Sequence, residues 1–195
     1  IAWSLAAMGS AAEAGVDRFC RDTLAGDWLE VIGLWQTKQA PYTPHPDFWV
    51  GALWSKLMGV RVLGTTVTST WSASNDGGIG TAEAASPLRA FSHCSKLTPG
   101  AVVFAVSVAG CSRNSSLFLH FPGALHVTTY LLSTQDPASD YVALNSEPLM
   151  VTPGSPVPSL DGVRHSGDMA EIPKQECAVG FVEAQYAAPV PACAA

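Results

Sequence analysis

Charge is scarce in this chain. Only 13% of its 195 residues are Asp, Glu, Lys or Arg, while 48% are apolar; an average soluble domain carries about 25% charge. That balance excludes intrinsic disorder and a long coiled coil. Basic residues are the scarcer sign: 10 Lys and Arg stand against 16 Asp and Glu, for a net charge of -6 and a pI near 5.2. No face can be strongly basic without a more acidic remainder, which argues against nucleic acid as a partner. Long hydrophobic runs are missing too. The longest, GAVVFAVSVAG from Gly100 to Gly110, falls short of the roughly 20 residues that a membrane-spanning helix needs. The sequence offers no transmembrane segment and leaves any other membrane association unknown.

Several motifs are also missing. The five cysteines, Cys20, Cys94, Cys111, Cys177 and Cys193, contain no Cys-x-x-Cys pair, and the histidines at 45, 93, 120, 126 and 165 lack zinc-ligand spacing. Neither a metal site nor a cofactor is expected. There is no Gly-x-Ser-x-Gly elbow, and the GGIG run within Asn75 to Thr81 has no strand and helix around it to cradle a phosphate. The chain opens at Ile1 without an initiator Met or a basic stretch leading into an apolar core, so it reads as a fragment or a processed chain.

What is present begins with helices. Ile1 to Gly15 is Ala-rich, with Ile1, Leu5 and Met8 at helical spacing and Gly15 where a helix would stop. Val16 to Leu24 alternates and predicts a short strand. Pro46 to Gly59 is the clearest helix. Pro46 suits the first turn, where its missing N–H would have no partner, and it pushes His45 out of the helical region. Asp47 and Lys56 match the helix dipole, and Gly59 is the expected stop. Trp49, Leu53 and Leu57 form a stripe widened by Phe48, Ala52, Trp54 and Met58, so this helix packs against something large.

After Gly59 the period changes from 3.6 to 2. Val102, Phe104, Val106 and Val108 share one face; Leu117, Leu119 and Phe121 share another; Leu125, Val127, Thr129 and Leu131 a third. Further strands are expected at Val60–Thr70, Leu88–Ser95 and Ala178–Tyr186, with Ser72–Pro87 and Thr152–Asp168 irregular. Many short strands at spacings near ten residues indicate a β-sandwich.

Four blocks together resemble the end of a heparanase-like glycoside hydrolase of the plant-type branch. DRFCRDTLAGDW is similar to that family's last barrel strand and following loop; HPDFWVGALWSKLMGVRVL resembles its final barrel helix and entry into the β-domain. LRAFSHCSK and VGFVEAQYAAPVPACAA resemble the strands that carry the first and last cysteines of that domain. The resemblance implies an α+β fragment: residues 1–59 would be the last helix, strand and helix of a (β/α)8 barrel, and residues 60–195 a β-sandwich domain. The switch of period at Gly59 puts the boundary at the same place without the resemblance.

The implied activity is cleavage of β-glucuronide linkages in a polysaccharide or glycoconjugate. Retaining glycosidases need two carboxyl groups about 5 Å apart. In this family both are Glu, one in an Asn-Glu-Pro context, and both precede the blocks seen here; no catalytic residue is expected in this chain. Glu147 is followed by Pro148 but preceded by Ser146, and takes no catalytic role. Barrel enzymes build their sites at the C-terminal ends of strands. By the resemblance, Asp22 and Trp28 stand where the family's Gln and Tyr face the sugar, as substrate-binding residues of the complete barrel. An Asp there would repel a uronate carboxylate unless protonated, while Trp28 would stack on a sugar face.

The resemblance further implies a disulfide between Cys94 and Cys193, an oxidising compartment, and an extracellular, secretory or lysosome-like location. Cys20 is expected to be a free, buried thiol, and a Cys111–Cys177 pair stays open. Asn114-Ser115-Ser116 is an N-glycosylation sequon in a polar turn. An alternative from another class is a secreted non-catalytic β-sandwich that binds carbohydrate or protein through Trp28, Trp35 and Trp71.

Overall fold

The structure is a computed structural model that describes residues 2–18, 20, 32–33, 43–66, 88–107, 117–134, 141–151, 154–172 and 179–194. In chain order the elements are helix α1 (Ala2–Glu13), the two-residue strands β1 (Ile32–Gly33) and β2 (Thr43–Pro44), helix α2 (Pro46–Leu57), and strands β3 (Met58–Leu63), β4 (Leu88–Ser95) and β5 (Ala101–Ser107). There follow β6 (Leu117–His120), β7 (His126–Ser133), β8 (Ala143–Leu144), β9 (Glu147–Pro148), β10 (Val163–Ser166), β11 (Met169–Ile172) and β12 (Val179–Gln185). The fold is α+β, mostly antiparallel sheet with two helices. No helix among the described residues is long and apolar enough to cross a membrane.

Both helices begin and end for reasons visible in their sequences. At the end of α1 the Gly15 N–H reaches the Ala12 carbonyl and the Val16 N–H reaches that of Ala11, with Gly15 at φ +76°. This is the Schellman arrangement, which needs a left-handed residue that glycine supplies without strain. It also commits Val16 to capping, and Val16, Asp17, Arg18 and Cys20 are not in a strand. The strand expected from Val16 to Leu24 is therefore absent where it is described; residues 19 and 21–24 lie outside the described residues. Helix α2 starts as expected, with His45 extended at φ -71° and ψ 163° before Pro46. Its end differs. The helix stops at Leu57, Met58 is already extended, and Gly59 lies inside β3. Gly59 is required there by close approach, because a Cβ would collide with the Cys94 carbonyl of β4.

The main sheet runs β3-β4-β5-β12-β7-β8-β9, with β10 beside the first half of β7. β6 and β11 pair separately as a two-stranded ribbon. Alternation along each strand divides the apolar residues between two clusters. One face packs Phe91, Val102, Phe104, Tyr130, Leu132 and Phe181 against Leu5 of α1 and Trp49, Val50, Leu53 and Leu57 of α2. The other sets Val127, Val182 and Ala184 against Ala170 and Ile172 of the ribbon and Phe121 beside it. β12 feeds both clusters and is buried from Val179 to Ala184. The expected alternation holds in β5, β6 and β7, except that Leu125 lies before β7 and is half exposed. The stretch from Thr152 to Asp168 is not irregular throughout: Val163–Ser166 forms β10, whose polar, exposed residues gave no periodic signal.

Close packing of α1 on the sheet gives opposite expectations for one substitution at two helical glycines. A Cβ on Gly9 would run into the ring of Phe91, which is buried and stacked on Phe104, whereas Gly51 has open space. Alanine in a helix gains about 1 kcal/mol over glycine, and overpacking a core costs about 1–3 kcal/mol. Gly51→Ala is expected to raise the urea midpoint, by up to about 1 kcal/mol of stability, and Gly9→Ala to lower it.

Candidate functional site

The sequence singled out Asp22 and Trp28 for substrate, Asn114 for glycosylation, Cys94 and Cys193 for a disulfide, and Trp35 and Trp71 in the alternative reading. Asp22, Trp28, Trp35, Trp71 and Asn114 lie outside the described residues, as do Cys111 and Cys177. The structure joins Cys94 of β4 to Cys193, in a short 3-10 turn at Pro191–Cys193, with Cα atoms 5.5 Å apart. Arg61 of β3 donates to the Ala192 carbonyl at 2.6 Å. Disulfide and hydrogen bond together strap the tail across the β3–β4 edge. Cys20 is free, as expected, but exposed rather than buried; its neighbourhood is the capped end of α1 and not a buried strand.

Carboxylates decide whether this chain carries acid–base chemistry. Glu183 is the one among the described residues that is buried. Its Oε1 accepts hydrogen bonds from the hydroxyls of Ser95 and Thr98, the latter at 2.8 Å. The same Ser95 oxygen accepts the backbone N–H groups of Leu97 and Thr98 at 3.0 and 3.2 Å. The carboxylate thus secures the β4–β5 turn to β12, and Gly100 lets that turn approach the Ala184 carbonyl. Its hydrogen bonds hold structure. Glu147 lies exposed in β9. Among the described residues no group of three or more His, Cys, Asp or Glu could hold a metal.

A second polar assembly, missed from the sequence, ties α2 to the loop before β10. Lys56 donates to the Leu160 carbonyl, lies 3.5 Å from Asp161, and sits 5.8 Å over the ring of Tyr130. The Ser159 hydroxyl and Lys56 hold the Asp161 carboxyl below its usual range. Burial, with the negative charges of Glu183 and Asp161 nearby, pushes the Tyr130 phenol up to about 12. Lys96 caps the same helix: its N–H reaches the Leu57 carbonyl and its ammonium that of Ser55, at 2.7 Å. Only the dipole match of Lys56 was legible beforehand, because its partners are about a hundred residues away.

An open groove of 590 Å³ runs between the ribbon and the main sheet, lined among others by Phe118, Asn145, Val163, His165, Met169 and Glu171. Phe118 and Met169 are more than half exposed. Asn145 is fixed rather than free: its side chain accepts from the Leu131 N–H and donates to the Asp161 carbonyl. It and Ser146 both have positive φ, forming the tight two-residue turn between β8 and β9. Among the described residues no Lys or Arg lines the groove.

No family model matches the chain. Among curated proteins it is 26% identical over 196 residues to heparanase-like protein 2 of Arabidopsis thaliana, covering 84% of this chain and 33% of that protein. It is 28% identical over 166 residues to a baicalin-beta-D-glucuronidase of Scutellaria baicalensis, covering 83% and 27%. Heparanase-like protein 1 of Arabidopsis thaliana matches over 110 residues at 26% identity, covering 56% and 17%. The chain is therefore similar to heparanase-like proteins over most of its length, and it spans a third or less of the length of these relatives.

Two measurements check the assemblies described above. Cys94–Cys193 spans 99 residues, and chain entropy for such a loop corresponds to at most about 4.7 kcal/mol; Cys193→Ser is expected to lower the urea midpoint in non-reducing buffer, for a loss of up to about 4.7 kcal/mol of unfolding free energy. Tyr130 has a raised folded-state pKa, so its contribution to stability is present below pH 10 and lost as pH rises through about 12. Tyr130→Phe is expected to flatten that alkaline loss in urea titrations.

Proposed function

We propose that this chain, similar along most of its length to heparanase-like proteins, is the C-terminal part of a glycoside hydrolase of that kind. Residues 1–59 are the end of a (β/α)8 barrel, with α1 and α2 as its last helices, and residues 60–195 the β-sandwich domain packed on its side. The observation that carries this reading is the pair of matches that extend over more than four-fifths of the chain, one to a heparanase-like protein and one to a glucuronidase. The fold agrees with it. α2 runs into β3 without a linker, and both helices lie on one face of the main sheet, as a barrel edge braced by a sandwich would.

The parent enzyme hydrolyses β-glucuronide linkages in a polysaccharide or glycoconjugate. It does so by a retaining mechanism whose nucleophile and acid/base are both Glu residues upstream of Ile1. One fact supports placing them there: the buried carboxylate of Glu183 is occupied by hydroxyls. Within the whole barrel, Trp28 stacks on a sugar face and Asp22 lines the same rim. Asn114 carries a glycan. The disulfide fits an extracellular, secretory or lysosome-like compartment.

The test compares the chain joined to its upstream coding region with the chain alone, on a chromogenic aryl β-glucuronide. The longer protein is expected to hydrolyse it and the 195-residue chain to be inactive. In the longer protein, Trp28→Ala is expected to lower kcat/KM about tenfold, equivalent to about 1.4 kcal/mol. Hydrolysis by the short chain that is lost on mutating its own Glu residues would overturn the proposal.

A further inference from the structure

β3 and β4 pair at Met58 with Ser95 and again at Val62 with His93, so three residues of β3 bulge opposite the single Cys94. A bulge leaves backbone groups without ladder partners. Here one is recovered by a side chain: the Nδ1–H of His93 donates to the Gly59 carbonyl at 2.7 Å. A carbonyl can only accept, which places a proton on Nδ1; in the neutral ring Nε2 is then a bare lone pair. Nε2 is buried without a hydrogen-bond partner, and His93 is only 4% exposed. The ring lies edge-on to Trp54 of α2, with centroids 5.1 Å apart, and Trp54 also touches Phe104. One imidazole therefore closes the bulge and supports the last turn of α2.

We propose that His93 is an acid-operated latch on the joint between α2 and the main sheet: neutral, it closes the β3 bulge under Trp54, and protonated, it releases that joint. Adding a proton to Nε2 creates a second N–H donor and a positive charge in a buried site where no described residue accepts from that nitrogen. The charges of the surrounding elements offer little relief. Glu13 at the end of α1 attracts the ring from an exposed position. Glu183 of β12 lies on the same face beyond Val102, its carboxylate taken by Ser95 and Thr98. Lys56 of α2 is engaged with Leu160 and Asp161, and Arg61 of β3 with Ala192. Burial, opposed only in part by the Gly59 hydrogen bond and by Glu13, lowers the His93 pKa from 6.5.

The sign follows from linkage. A folded-state pKa below the unfolded value means that the contribution is present above pH 6.5 and lost as pH falls through the folded pKa. In that window the unfolding constant rises by up to about tenfold per pH unit. The experiment is amide hydrogen exchange on the whole chain from neutral to acid pH, for the native protein and for His93→Gln, whose amide can still donate to Gly59 but does not titrate. After correction for intrinsic exchange, amides at the C-terminal turn of α2 and in β3 are expected to lose protection below pH 6.5 in the native protein, ahead of β12. In His93→Gln that local loss is expected to vanish. An NMR titration of the His93 ring in the native protein is the second measurement, independent of whether the variant folds. A ring pKa at or above 6.5, or the same acid loss in His93→Gln, would overturn the proposal.

Discussion

Phe104 is where helix α2 and three strands of the main sheet meet. Its ring lies 5.1 Å from those of Phe91 and Trp54 and 5.5 Å from that of Phe181, so β4, β5, β12 and α2 converge on one fully buried side chain. Aromatic contacts of this kind add to the area they bury, and here they also set positions. Trp54 fixes the roll of α2, and Phe91 sets how near α1 comes, which is why residue 9 must lack a side chain. The remaining burial of Trp49, Val50, Leu53 and Leu57 follows once α2 lies across that ring.

The scarcity of charge has a structural counterpart. Where ionised groups do occur near the core they are spent on joints: Lys56 on the loop before β10, Lys96 on the end of α2, Arg61 on the C-terminal strap, Glu183 on the β4–β5 turn. Each long-range bond satisfies backbone or hydroxyl groups, and those of Lys56 and Glu183 do so where the site is partly buried.

Much of this was readable from local patterns. Pro46, Gly15 and the alternating runs of β4, β5, β7 and β12 state their conformations within a few residues, because dihedral restriction and side-chain period are local properties. Gly59 misled because a helix stop and a close strand crossing both call for glycine, and only the distant Cys94 carbonyl distinguishes them. β10 escaped because its four residues are all exposed and carry no alternation. The polar assemblies around Lys56, His93 and Glu183 were illegible for one shared reason: every one joins residues more than thirty positions apart. The positions proposed for sugar contact were read by resemblance alone, since nothing in the residues around Asp22 and Trp28 marks them as a binding site.

β12, the last strand of the chain, lies at the middle of the sheet, between β5 and β7. During synthesis on the ribosome, β5 and β7 emerge well before the segment that must separate them. Until Val179 to Gln185 arrive, both clusters lack their shared wall, and the two waiting edges are free to pair with each other or with a neighbouring nascent chain. The sheet closes only when β12 arrives, so loss of Val179 to Gln185 would leave the facing edges of β5 and β7 without their shared partner.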